Sequence, residues 1–144
     1  MNRRSRHRGA TLLEVLIAVL ILAIGMLGVA AMQATSLRNS QGSLERSQAV
    51  VQSYAILDAM RSNVLVARAN GYNLPVTCVA PAAAGSLVNF DQNAWITSLQ
   101  TTMGASACGG IACAANVCEI TVRWNDTRST GGIDAQELKT RSRI

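Results

Sequence analysis

Histidine is nearly missing from this chain: His7 is the only one among 144 residues. General acid and base work would then fall on Asp, Glu or Lys, and no serine or cysteine is bracketed by such a partner, which argues against an enzyme. Four cysteines are present without any Cys-x-x-Cys pair. A zinc site needs its ligands to converge on one point, so no metal and no cofactor are expected. Aromatic residues make up 3 % of the chain, too few for stacking on bases, which weighs against a nucleic-acid partner. The same scarcity limits how much apolar surface a small domain can bury, so a covalent staple would help. Proline occurs only at Pro75 and Pro81, so no proline breaks a helix earlier in the chain.

What charge there is lies unevenly. The opening "MNRRSRHRG" holds Arg3, Arg4, Arg6 and Arg8, while residues 10–144 carry nine basic against eight acidic side chains. Most of the net +5 therefore belongs to the leader. Next comes "GATLLEVLIAVLILAIG", in which Glu14 is the single charge. Val15 to Met32 is an uncharged apolar run of 18 residues, near the roughly 20 that span a bilayer as a helix. A cleavable secretory signal has a shorter apolar core, about 7 to 15 residues, so an anchor is the better reading. A basic flank stays on the cytoplasmic side, which puts everything after about residue 33 outside that membrane. A charge in hydrocarbon costs on the order of 3 kcal/mol or more, so Glu14 is a functional-site candidate unless it snorkels to the headgroups.

No proline or turn cluster follows Met32, and one helix is expected from Ala10 to about Asn63, on the order of 80 Å long. Leu37, Leu44 and Val51 recur every seventh residue, and Val50, Tyr54, Leu57 and Val64 form a stripe expected to dock on a globular domain of the same chain. Gly42 is expected to weaken this helix by about 1 kcal/mol. From Asn70 the texture is loop-like, punctuated by Gly71, Pro75, Pro81 and Gly85. A short second helix should follow, with Asp91 as N-cap, Trp95, Ile96, Leu99 and Met103 on its apolar face, and Gly104 at its end. Ile120, Val122 and Trp124 alternate with Thr121, Arg123 and Asn125, the pattern of a strand with one buried face. Past Thr130-Gly131-Gly132, "AQELKTRSRI" can return as a polar edge strand. The fold class expected is α+β, with a long N-terminal helix packed on a small antiparallel sheet of three or four strands.

Cys78, Cys108, Cys113 and Cys118 all follow the apolar run, in what should be an oxidising compartment, so disulfides are the default. Three connectivities are possible and the sequence does not choose among them; the reading leans towards Cys113 with Cys118 and Cys78 with Cys108. Arg123, Arg128, Lys139, Arg141 and Arg143 cluster in the last strands, within reach of phosphates, although a solvated strand face is the better reading. Trp95 and Trp124 each lie on the apolar face of their element and are read as core.

The stretch "RGATLLEVLIAVLILAIGMLG" resembles the class III signal of type IV pilins and pseudopilins: a short basic leader ending in glycine, then an apolar helix whose fifth mature residue is glutamate. "EVLIAVLILAIGMLGVAAMQ", followed much later by "CEITVRWND", is similar to the PilV-type minor pilins, also called type IV pilus modification proteins. Two positions depart from the pattern. Ala10 stands where phenylalanine is usual, and Ala31 stands where major pilins commonly carry a proline. The resemblance implies cleavage by prepilin peptidase between Gly9 and Ala10, N-methylation of Ala10, and Glu14 as a key to assembly register. Physically, Glu14 of one subunit would neutralise the new α-amino group of its neighbour, and an uncompensated buried charge, costing several kcal/mol, would reject a wrong register.

The same resemblance implies a pilin-like organisation of 1–9 cleaved leader, 10–33 transmembrane and filament-core helix, 34–69 amphipathic continuation, and 70–144 periplasmic head with disulfides. It implies a single-pass precursor in the inner membrane of a Gram-negative bacterium, which later enters the pilus. The partners implied are prepilin peptidase, the major pilin and other minor pilins, the assembly machinery of the inner membrane, and a tip adhesin that the complex would present. Three rivals stand beside this reading: a minor pseudopilin of a type II secretion system, a DNA-binding minor pilin for DNA uptake, and an ordinary anchored periplasmic domain.

Overall fold

The computed structural model describes residues 11–144, so the leader, Gly9 and Ala10 lie outside the described residues. Two compact units make up the chain, one ending at Leu37 and one comprising Arg38–Ile144. Helix α1, Leu12–Ser62, contributes to both. In the first unit every described residue is exposed, and α1 is long and apolar enough there to cross a membrane. Its start is set by Thr11. The Thr11 carbonyl accepts from the Val15 amide at 3.2 Å, and its hydroxyl accepts from the Glu14 amide at 3.3 Å, as an N-cap does.

The second unit is α+β. Helix α2 (Val64–Arg68), strand β1 (Leu74–Thr77), helix α3 (Leu87–Met103) and strands β2 (Cys108–Ala114), β3 (Val117–Trp124) and β4 (Gln136–Arg143) follow the rest of α1. The four strands form one antiparallel sheet in the order β1-β2-β3-β4. One face of β3, Ile120, Val122 and Trp124, is fully buried with Trp95, Ile96 and Leu99 of α3 and Ile56, Leu57 and Met60 of α1. The long helix thus packs on the sheet, and α3 packs alongside.

The face that α1 buries differs from the expected stripe. Leu57 is buried and Val64 half-buried, but Leu44, Val50, Val51 and Tyr54 are exposed. The buried face is instead Gly42, Ala49, Gln52, Ser53, Ile56, Leu57 and Met60. Small residues lie there because the rest of the unit comes close, and the polar ones are satisfied: Ser53 donates to the Ala49 carbonyl at 2.8 Å, Gln52 donates to Ser98 at 2.8 Å, and the Trp95 indole donates to the Gln52 carbonyl at 3.0 Å. Gly42 has a packing reason too, since a Cβ there would run into the Ser129 side chain.

Two further expectations need correction. The N-cap of α3 is Ser86, whose hydroxyl accepts from the Asn89 amide at 3.3 Å. Asp91 lies inside the helix and accepts from the Tyr72 hydroxyl at 2.6 Å. The segment after Asn70 is not all loop, since Leu74–Thr77 pairs with β2. Its neighbour β2 carries Gly109 beneath the Trp95 ring and Gly110 beneath Val76, where any Cβ would collide; a glycine in a strand marks such close approach.

Candidate functional site

Glu14 sits in the first turn of α1 and is exposed. Thr11 and Glu14 have the Thr-x-x-Glu spacing of a capping box, a sequence signal that the reading of Glu14 as a lone charge overlooked. A carboxylate in the first helical turn also faces the positive end of the helix dipole, which stabilises it by about 0.3–1 kcal/mol. Only the Glu14 amide takes part in the cap, donating to the Thr11 hydroxyl at 3.3 Å, so the carboxylate helps to start the helix through its first-turn position alone. That position leaves the charge itself without a cationic partner among the described residues. The expected cut site, Gly9 and Ala10, lies outside the described residues.

All four cysteines are oxidised. Cys78 joins Cys108 across 30 residues, tying the loop after β1 to the first residue of β2. Cys113 joins Cys118 across 5 residues, and these two are direct cross-strand partners next to the β2-β3 turn. No thiolate is left to bind a metal.

Most of the basic residues named in the last strands face carboxylates, while Arg143 is exposed and in no ion pair among the described residues. Arg128 pairs with Glu45 at 3.0 Å, Lys139 with Glu137 at 3.0 Å and Arg141 with Glu119 at 3.5 Å. Across the ladder Arg123 stands opposite Glu137. The hydrogen bond from Lys139 to Glu137 holds its ammonium above the ordinary lysine range. Trp124 is buried, its indole donating to Glu45 at 3.1 Å, and Trp95 is buried as well.

Tyr72 is a feature the sequence reading did not single out. It is fully buried, its carbonyl accepts from Gln92 at 2.9 Å, and its hydroxyl sits between Asp91 and the Asn63 amide, which donates at 3.3 Å. Burial first, and then the hydrogen bond to Asp91, push the phenol up to about 12.

An apolar N-terminal helix and a small disulfide-stapled α+β unit are consistent with a pilin-like α+β fold. Residues 4–30 match the family model described as the prokaryotic N-terminal methylation motif. The match supports a type IV pilin or pseudopilin in general, a structural class rather than an enzymatic one. It implies processing by prepilin peptidase and dealings with the membrane machinery of pilus assembly, and it fits membrane anchoring. Neither a curated protein nor a solved structure matches the chain.

Proposed function

We propose that this protein is a minor pilin of the PilV type that helps to initiate type IV pilus assembly, within a minor pilin complex at the pilus tip. The observation that carries this reading is the methylation-motif match over residues 4–30, with Glu14 as the one charge inside the apolar run. Prepilin peptidase cuts after Gly9, Ala10 becomes the methylated N-terminus, and its amine is the counter-ion for Glu14 of a neighbouring subunit. Leaving the bilayer for a filament core with that charge unpaired would cost several kcal/mol, so pairing selects the axial register. The exposed apolar side chains Leu44, Val51 and Tyr54 on the second half of α1 favour burial against other subunits, since an uncovered apolar patch marks an interaction surface. The precursor resides in the inner membrane with its head in the periplasm, and the mature subunit resides in the pilus.

Intact-mass analysis of the full-length protein from a piliated Gram-negative host tests the processing. The expected product begins at Ala10, carries one added methyl group and has four oxidised cysteines; retention of Met1 overturns the reading. Replacing Glu14 with Gln is expected to leave the protein processed and in the membrane while surface pili fall sharply. Deletion should reduce twitching and spare enzyme secretion. The reverse outcome would assign the chain to a type II secretion system.

A further inference from the structure

Where the second half of α1 meets α3, an open furrow of about 250 Å³ remains between them. Ile56 and Trp95 form its floor, and the small residues Ala55, Ala59 and Ala94 line its sides. Gln52 and Ser98 stand at one end, already bonded to each other at 2.8 Å. Asp91 stands two helical turns away from Ser98 and is the only charged residue lining the furrow. Its carboxylate is half-buried, and the Tyr72 hydroxyl holds it in place at 2.6 Å. Among the described residues the ion pairs occupy Glu45, Asp58, Glu119 and Glu137, and none involves Asp91.

We propose that this furrow receives one basic side chain, arginine or lysine, from a partner protein, with its aliphatic stem along Ala55, Ala59 and Ala94 and its cation against Asp91. The furrow and a long basic side chain are complementary in shape and charge. Long basic side chains bury their methylene stems on apolar surface while the charged head seeks an anion. A cation donating to a half-buried carboxylate gains about twice what a neutral pair does. Small-molecule sites usually offer about 300–1,000 Å³, so this furrow suits one side chain better than a metabolite. The seven-residue step from Gln52 to Ala59 spans about 10 Å of helix, long enough for an extended arginine. The inference does not rest on the pilus assignment, because an anchored domain of any kind would carry the same furrow.

Alanine-methyl NMR of the full-length chain in detergent micelles tests it, with N-acetyl-arginine amide, N-acetyl-lysine amide and the neutral isostere N-acetyl-citrulline amide as probes. The methyl signals of Ala55, Ala59 and Ala94 are expected to shift with the two cationic probes, and the arginine probe should bind about tenfold more tightly than citrulline, a ratio equivalent to about 1.4 kcal/mol. Asp91→Asn keeps an acceptor for Tyr72 and should erase that ratio. Ala94→Leu, at an exposed position, should weaken all three probes by filling the furrow. Equal affinity for arginine and citrulline, an unchanged ratio in Asp91→Asn, or no methyl shift with saturating arginine probe would each overturn the proposal.

Discussion

Gly42 shows how a single residue can be misjudged from helix propensity alone. Exchanging a mid-helix glycine for alanine ordinarily gains about 1 kcal/mol. Here the new Cβ would come within 2.9 Å of the Ser129 Cβ and closer still to its hydroxyl, which is bonded to the buried Asp126 carboxylate. Overpacking costs about 1–3 kcal/mol, and moving Ser129 would also strip Asp126 of its partner. The clash outweighs propensity, so Gly42→Ala is expected to lower stability by about 1–2 kcal/mol, read from the urea midpoint of the full-length protein in micelles; an unchanged or raised midpoint would contradict it. Tyr72 makes a second residue-level case, with pH as the lever. Its folded pKa, about 12, exceeds that of the unfolded chain, about 10. A raised folded pKa stabilises fully below pH 10 and is lost as pH climbs towards 12, because only the unfolded phenol ionises in that window. The loss amounts to roughly 2 to 3 kcal/mol, and Tyr72→Phe should flatten that alkaline fall in stability between about pH 9 and pH 12. A fall of the same slope in the variant would assign it elsewhere.

Among the elements, the β2-β3 hairpin is the one the sequence hid best. Its two-residue turn, Ala115-Asn116, lies between the paired Ala114 and Val117, with φ at 49° and 64°, which is the type I′ geometry that suits twisted strands. Alanine is a poor occupant of that left-handed region, at about 1–2 kcal/mol, while asparagine tolerates it. Ala115→Asn is therefore expected to stabilise the hairpin by about 0.5–1 kcal/mol and Ala115→Val to destabilise it by more than about 1 kcal/mol. Thermal melts that rank the two variants the other way would exclude this turn. The clues were weak because Ala-Asn lacks the usual Asn-Gly signature, and because glycines such as Gly109 and Gly110 weaken a strand pattern unless a close approach, here of the Trp95 ring and Val76, requires them. Strongly periodic elements were legible. The apolar run, the alternation of Ile120, Val122 and Trp124, and the face Trp95, Ile96, Leu99 and Met103 all lie where period alone puts them. The orientation of α1 was not legible, since a rule that seeks apolar stripes picks Val50 and Tyr54, while close packing of the sheet and the 126–129 turn selects glycine, alanine and serine. At the candidate site, Glu14 stood out as a lone charge, whereas its tie to Thr11 required attention to capping rather than hydropathy.

For the molecule as a whole, stability outside the apolar helix depends on few large side chains. The buried core of the second unit holds only two tryptophans and one tyrosine among its aromatics, and several of its α1 contacts are made by alanine, serine and glycine. Such a core leaves a small margin over conformational entropy, and the two disulfides widen it to different extents. In the chain-entropy picture a crosslink stabilises more as the loop it closes lengthens. Cys78–Cys108 closes 30 residues and Cys113–Cys118 only 5, giving about 3.5 and about 2 kcal/mol respectively. The longer loop contains the whole of α3, and β1 ends directly before Cys78, so its opening frees the strand whose Val76 covers Gly110. The hairpin crosslink, by contrast, joins residues that the ladder already pairs. Replacing Cys78 and Cys108 with serine should therefore lower the denaturation midpoint of the full-length protein well below that of the Cys113 and Cys118 double variant. Amide exchange should accelerate in β1 and the C-terminal half of α3 in the first variant and only near Ala115-Asn116 in the second. Equal losses in both, or exchange spread evenly over the sheet, would mean that the long loop is held by its packing rather than by its crosslink.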